Sequence, residues 1–318
     1  MHGQAPDGNL RGTTQAERIN RGDLQLIKIP FYLLIAVTPI MNFNLINFTE
    51  SFAALIPAGT SYGNSNIGVI LDKDKISVID SGSSPRLAKS AIKELVDATD
   101  KKISQMVLTS SRVTHAGGSQ QFKDCSIYAS QLTSDMLELP PNLEVMSQLI
   151  PANKKDYGKS RFQPRQVTHV ISETTDLGNN LHVEVKIGDT PENILIKTSQ
   201  SNQAEVIYLG SMASFNTTPL GFEANFFKWL GTLTELLDSS TNMIVPGHGM
   251  PGSKFELQQQ ANYLSACLKA DGQIENLKTG AWQDWQNPEF HKINVERAFQ
   301  CKKGNFNELP ASFLELLS

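Results

Sequence analysis

The stretch at residues 108–122, LTSSRVTHAGGSQQF, constrains the fold more than any other part of the chain. An apolar run (Met106, Val107, Leu108) gives way to a polar loop, a histidine and a Gly-Gly pair, the pattern of a buried strand handing over to a site loop. Leu87, Ala88, Ala91, Ile92, Leu95 and Val96 recur at helical spacing just before it. The loop therefore leaves a β-α-β unit at a strand's carboxyl end, where open α/β sheets place their sites. A pocket rim is expected there.

The flanking sequence builds outward from this loop. Short strands are expected at 43–48 and 52–56, then a hairpin of 67–71 and 76–80 around the Asp72-Lys73-Asp74-Lys75 turn. Asp80 closes that hairpin and reads on its own as an acidic strand end capping a helix that starts near Pro85. Further strands are expected at 103–109 and 126–129, and residues 132–166, without a clear period, as helix fragments and loops roofing the pocket. The second half of the chain follows the same plan, with alternating LHVEVKI at 181–187, apolar strands at 194–196, 206–209 and 242–245, and helices at 222–237 and 255–268. Phe226, Phe227, Trp229, Leu230 and Leu233 give the first of these helices its apolar face. Two β-rich halves with helices outside predict an α/β fold, an αββα sandwich over residues 42–270. Residues 271–318, with Trp282 and Trp285, read as a C-terminal helical extension.

A chain of 318 residues, 40% of them hydrophobic, buries a sizeable core. A net charge of −4 argues against a general nucleic-acid binder, which needs a basic face for phosphates. Cys125, Cys267 and Cys301 lie far apart in no CxxC pattern and read as free structural thiols. Residues 1–41 form a polar segment followed by a hydrophobic stretch, FYLLIAVTPIM, of about the length of a secretory h-region. Arg18, Arg21 and Lys28 precede it, while Pro30, Pro39, Glu17 and Asp23 count against a signal. It is too short and interrupted for a stable membrane span. Two expectations stand: an export leader, giving a periplasmic or secreted protein, or a hydrophobic arm packed on a protein that stays in the cytoplasm. Cleavage at Ser51-Phe52-Ala53 would clip an expected strand.

Residue against residue, the loop at 109–118 resembles the T-H-x-H-x-D-H-x-G-G motif of metallo-β-lactamase-fold hydrolases. Thr109, His115, Gly117 and Gly118 match that motif, while Ser110, Arg112 and Thr114 stand where two histidines and an aspartate would be. VIDSGSSP resembles the family's I-D-T-G-x-S-P loop, which implies that Asp80 orients the metal loop from below. Gly188-Asp189-Thr190 resembles a G-H-T loop with Asp189 at the histidine position. Gly210-Ser211 resembles a G-D strand end with Ser211 at the aspartate, and Pro246 to Gly249 retains P-G-H-G, with His248 matching the last ligand. The chain is most similar to the quinoprotein relay system and sulfur-oxidation zinc metallohydrolase branch, whose members are exported. The resemblance covers residues 42–270 and implies the αββα fold with two of seven metal ligands kept, His115 and His248.

Zinc hydrolases need several imidazoles or carboxylates converging on a metal that lowers the pKa of bound water to about 7. Two histidines make a weak site. Asp189 would complete a set of His115, His248 and Asp189 for one zinc or iron ion, but a permanently charged Arg112 opposes an incoming cation. An ion pair between Arg112 and Asp189 filling the vacated metal position, with no cofactor, is the more economical expectation. A Ser110 or Ser111 triad with His115 and Asp189 is a further arrangement, without an evident oxyanion hole. His169 and His182 read as surface or core histidines on strands. Three functions follow: a non-catalytic binder of a small molecule or partner protein, a hydrolase with a reduced mononuclear site acting on an ester, thioester or lactam, or an assembly role through the N-terminal arm and Trp282/Trp285.

Overall fold

Backbone pairing sorts the strands into two sheets that carry the loop at 108–122 between them. The computed structural model describes residues 43–59, 62–158, 162–178, 181–198, 205–241 and 243–318; the segment read as a leader or arm, 1–41, lies outside the described residues. The first sheet runs in sequence order: β1 (Phe43–Asn47), β2 (Phe52–Pro57), β3 (Ile67–Leu71), β4 (Lys75–Ile79), β5 (Lys102–Val107), β6 (Ser126–Ser130) and β7 (His169–Ile171). Its first four strands form an antiparallel meander, and β4 to β7 are parallel. The second sheet is ordered β12-β11-β10-β9-β8, from β8 (Thr175–Asp176), β9 (Leu181–Lys186), β10 (Asn193–Thr198), β11 (Val206–Ser214) and β12 (Met243–His248).

Helix α1 (Pro85–Thr99) links β4 to β5. Ser84 caps it by accepting from Leu87 N, Pro85 begins it, and Asp100 ends it in the left-handed region. The cap is therefore Ser84, not Asp80 as an acidic strand end suggested. Leu87, Ala88, Ala91 and Leu95 face inward, whereas Val96, at the same helical spacing, is 47% exposed. After β5 come α2 (Val113–Ala116), α3 (Gln131–Glu138), α4 (Leu143–Leu149) and α5 (Lys154–Tyr157). The second sheet carries α6 (Phe226–Leu237), α7 (Lys254–Lys269), α8 (Phe290–Lys302) and α9 (Ala311–Leu316). Helix α6 starts at an Asn225 cap, four residues later than its apolar pattern suggested, and Phe227 on it is 52% exposed. Among the described residues no helix is long and apolar enough to cross a membrane.

Strand alternation explains the four layers. In β2, Phe52, Ala54 and Ile56 point one way and Ala53 and Leu55 the other; in β11, Val206 and Tyr208 oppose Ile207 and Leu209. One set meets between the sheets, one packs sheet one on α1, and one packs sheet two on α6, α7 and α8. The αββα sandwich follows because both faces of both sheets are apolar. Phe52 and Ala53, at the small-x-small pattern, are fully buried inside β2. All three cysteines are buried and free.

The C-terminal residues belong to the same compact unit as the sheets. Trp282 and Trp285 are buried against Tyr263 of α7, so they supply core and no outward assembly face. From α8, buried Asn294 accepts from Gly221 N and donates to Pro219 O, while Arg297 donates to the carbonyls of Glu223, Ala224, Phe306 and Glu308.

Candidate functional site

Asp80, at φ 66° just past β4, turns its carboxylate under the loop that follows β5. Oδ1 accepts from Thr109 N at 2.8 Å, and Oδ2 accepts from Thr109 Oγ1 at 2.8 Å and from His115 Nδ1 at 2.8 Å. A carboxylate with three donors fixes the imidazole, leaving His115 Nε2 buried and without a hydrogen-bond partner. The Gly-Gly pair lets this loop press on the 81–83 segment. A Cβ on Gly118 would lie 2.2 Å from Ser81 O, and Gly118 N bonds Gly82 O at 2.9 Å.

His248, ending β12, brings its ring to 5.4 Å from that of His115 at an interplanar angle of 76°. Its Nδ1 donates to Asn64 O at 3.3 Å and its face stacks on Tyr62 at 5.1 Å. Burial, reinforced by His115, pushes the His248 pKa down to about 3, so this imidazole is neutral at ordinary pH. Burial also raises the Tyr62 phenol to about 12, against the pull of the nearby Arg112 cation.

On the other side of Tyr62 lies a closed polar network. Arg112 Nε meets Asp189 Oδ2 at 3.2 Å, with side chains only 8% and 5% exposed, and its Nη2 donates to Asp189 O at 3.0 Å. Asp189 Oδ1 accepts from Ser211 Oγ at 2.8 Å and from Asn193 Nδ2 at 2.9 Å, and Ser110 Oγ sits 3.0 Å from Ser211 Oγ. Glu223 Oε1 approaches Arg112 Nη2 at 3.4 Å, and the guanidinium stacks on Phe222 at 4.2 Å. Burial works to lower the Arg112 pKa, but Glu223 and Asp189 outweigh it and raise it. Thr114 Oγ1 is buried with no hydrogen-bond partner, although the Tyr62 hydroxyl is close enough to feel it.

The structure thus gathers Ser110, Arg112, Asp189 and Ser211 into one cluster and His115, His248 and Asp80 into another, with Tyr62 between them. It does not assemble the set of His115, His248 and Asp189: among the described residues no group of three or more His, Cys, Asp and Glu converges to hold a metal ion. Asp189 spends its oxygens on Arg112, Ser211 and Asn193 instead. Two imidazoles and a buried guanidinium do not fit a zinc or iron centre, which needs three protein ligands and no opposing cation. The seryl triad is not formed either. His115 is held by Asp80, and the Ser110 hydroxyl bonds Ser211.

Beside Arg112 opens an apolar cleft of about 350 Å³, walled by Met136, Leu139, Val145 and Met146 of the α3–α4 segment and closed by Phe222 and Glu223. Of the segment expected to roof the pocket, the stretch from Met136 to Leu149 and Gln163 with Pro164 do line this cleft. Sequence reasoning missed Tyr62, Asn193, Phe222 and Glu223. Its helical spacing drew Phe222 into the expected helix although it lies in the loop before α6, and the three polar ones carry no motif that marks them.

No protein-family model matches the chain, and no curated protein does. Among solved structures it is similar to the DIM-1 metallo-β-lactamase (18% identity, TM-score 0.54, covering 70% of this chain and 97% of that one). It is also similar to VMB-1 (16%, 0.54, 71% and 98%) and to a metallo-β-lactamase from Hirschia baltica (14%, 0.54, 70% and 97%). At these identities the likeness is one of fold: the chain has the metallo-β-lactamase fold.

Proposed function

We propose that this protein is a non-catalytic member of the metallo-β-lactamase fold that binds a small molecule or a partner in its remodelled pocket. The observation that carries the reading is the buried contact of Arg112 with Asp189, two residues that the resemblance sets at ligand positions of the same metal. Arg112 supplies internally the positive charge a metal would bring, and Asp189 balances it while accepting from Ser211 and Asn193. No cofactor is part of this reading. The motifs favour kinship with the quinoprotein relay and sulfur-oxidation branch, and with it export to the periplasm or beyond.

A second reading is favoured by one observation, the buried, unpartnered His115 Nε2 beside the neutral His248. On it, a single ion shared by these imidazoles supports a reduced hydrolase. Metal analysis of protein purified without chelator separates the two. We expect no stoichiometric zinc or iron, and no cleavage of ester, thioester or lactam probes that His248→Ala abolishes. One tightly held equivalent would overturn the first reading.

A further inference from the structure

We propose that the cleft beside Arg112 binds a carboxylate with an apolar tail, whose head takes the place of Glu223 on the guanidinium. This rests on the non-catalytic reading of the same pocket. The two carboxylates around Arg112 are held very differently. Asp189 is 5% exposed and fixed by Ser211 and Asn193, so it stays. Glu223 is 39% exposed and reaches Arg112 only at 3.4 Å.

Exchanging one loosely held carboxylate for another leaves the charge around Arg112 unchanged, so an anionic head enters without a new unpaired charge. Arg112 donates from Nε and Nη2, and its Nη1 makes no hydrogen bond among the described residues. A head group with two acceptor oxygens answers Nη1 and the face of Nη2 that Glu223 gives up. The tail has its own surface: Met136 and Leu139 of the cleft are 47% and 58% exposed, apolar area that an alkyl chain would take out of water. The volume, about 350 Å³, is at the small end of ligand pockets and suits a medium chain.

The test is calorimetric titration of the full chain with decanoate, decanamide and decyltrimethylammonium, which share a tail and differ in charge. Decanoate should bind about tenfold more tightly than decanamide, the worth of one charge-assisted hydrogen bond. Glu223→Ala, at a half-exposed position, should tighten decanoate by about fivefold or more, by removing its competitor, and leave decanamide within about twofold. Equal binding of acid and amide, preference for the ammonium, or weaker decanoate binding to Glu223→Ala would each overturn the proposal. Metal content of the same preparation is read separately. Bound metal with the carboxylate preference intact fails only the non-catalytic reading, and a metal-free protein without the preference fails only this one.

Discussion

Gly247 lies so close to His115 that a Cβ added to it would sit 2.5 Å from His115 Cε1 and 2.5 Å from Gly210 O. The approach of β12 to the β5 loop, and so the pairing of the two imidazoles, depends on that missing side chain. Gly247→Ala should cost about 1–3 kcal/mol as the loop is forced away. Gly231→Ala, at an exposed position of α6 with nothing within 4 Å of the new methyl, should instead stabilise by about 0.5–1 kcal/mol. Denaturant unfolding of the two variants checks both signs.

Removing one partner of the buried pair is expected to be costly. Asp189→Asn leaves Arg112 facing only the half-exposed Glu223, and should destabilise by about 3 kcal/mol. Arg112→Gln combined with Asp189→Asn removes both charges and should recover more than half of that loss. Equilibrium unfolding of the single and double variants measures the coupling. Additive losses would show that the two side chains do not act as a pair.

Acid should act through His248. Its pKa is about 3 in the folded protein, against about 6.5 when unfolded, so between these values the unfolded chain binds the extra proton. The contribution is fully present above pH 6.5 and is lost as pH falls toward 3, a decline of a few kcal/mol across that window by linkage. His248→Gln should flatten this slope. Unfolding midpoints from pH 7 to pH 4 for both proteins provide the comparison.

Asp80→Asn keeps the left-handed backbone, which asparagine tolerates, but can offer an N–H to His115 Nδ1. The proton should then move to Nε2, a tautomer change visible in the ¹⁵N shifts of the His115 ring. Stability should fall by about 2 kcal/mol, since charge-assisted bonds to His115 and Thr109 are weakened. An unchanged tautomer would contradict the orienting role of Asp80.

Much of the scaffold was legible because its layers impose simple periods. Alternation in 181–187 and the apolar runs around Ile67, Met106 and Ile244 located strands, since each buries a face against a neighbouring layer. Helix ends were harder. Phe222 belongs to the loop before α6, where cation stacking and the α8 contacts outweigh its helical spacing. Within the site, the meeting of Arg112 with Asp189 followed from charge balance between two substituted motif positions. Glu223 and Asn193 could not be found this way, because a carboxylate or amide acquires its role only when the fold brings a guanidinium or hydroxyl to it. The orphaned Nε2 of His115 was likewise a matter of three dimensions.

The grip of Arg297 and Asn294 on residues 219–224 lets the tail of the chain brace one wall of the cleft from behind. Occupancy and tail docking are therefore coupled in free energy, and the coupling runs in both directions. A molecule lodged against Phe222 and Glu223 should slow deuterium uptake at the amides of α8.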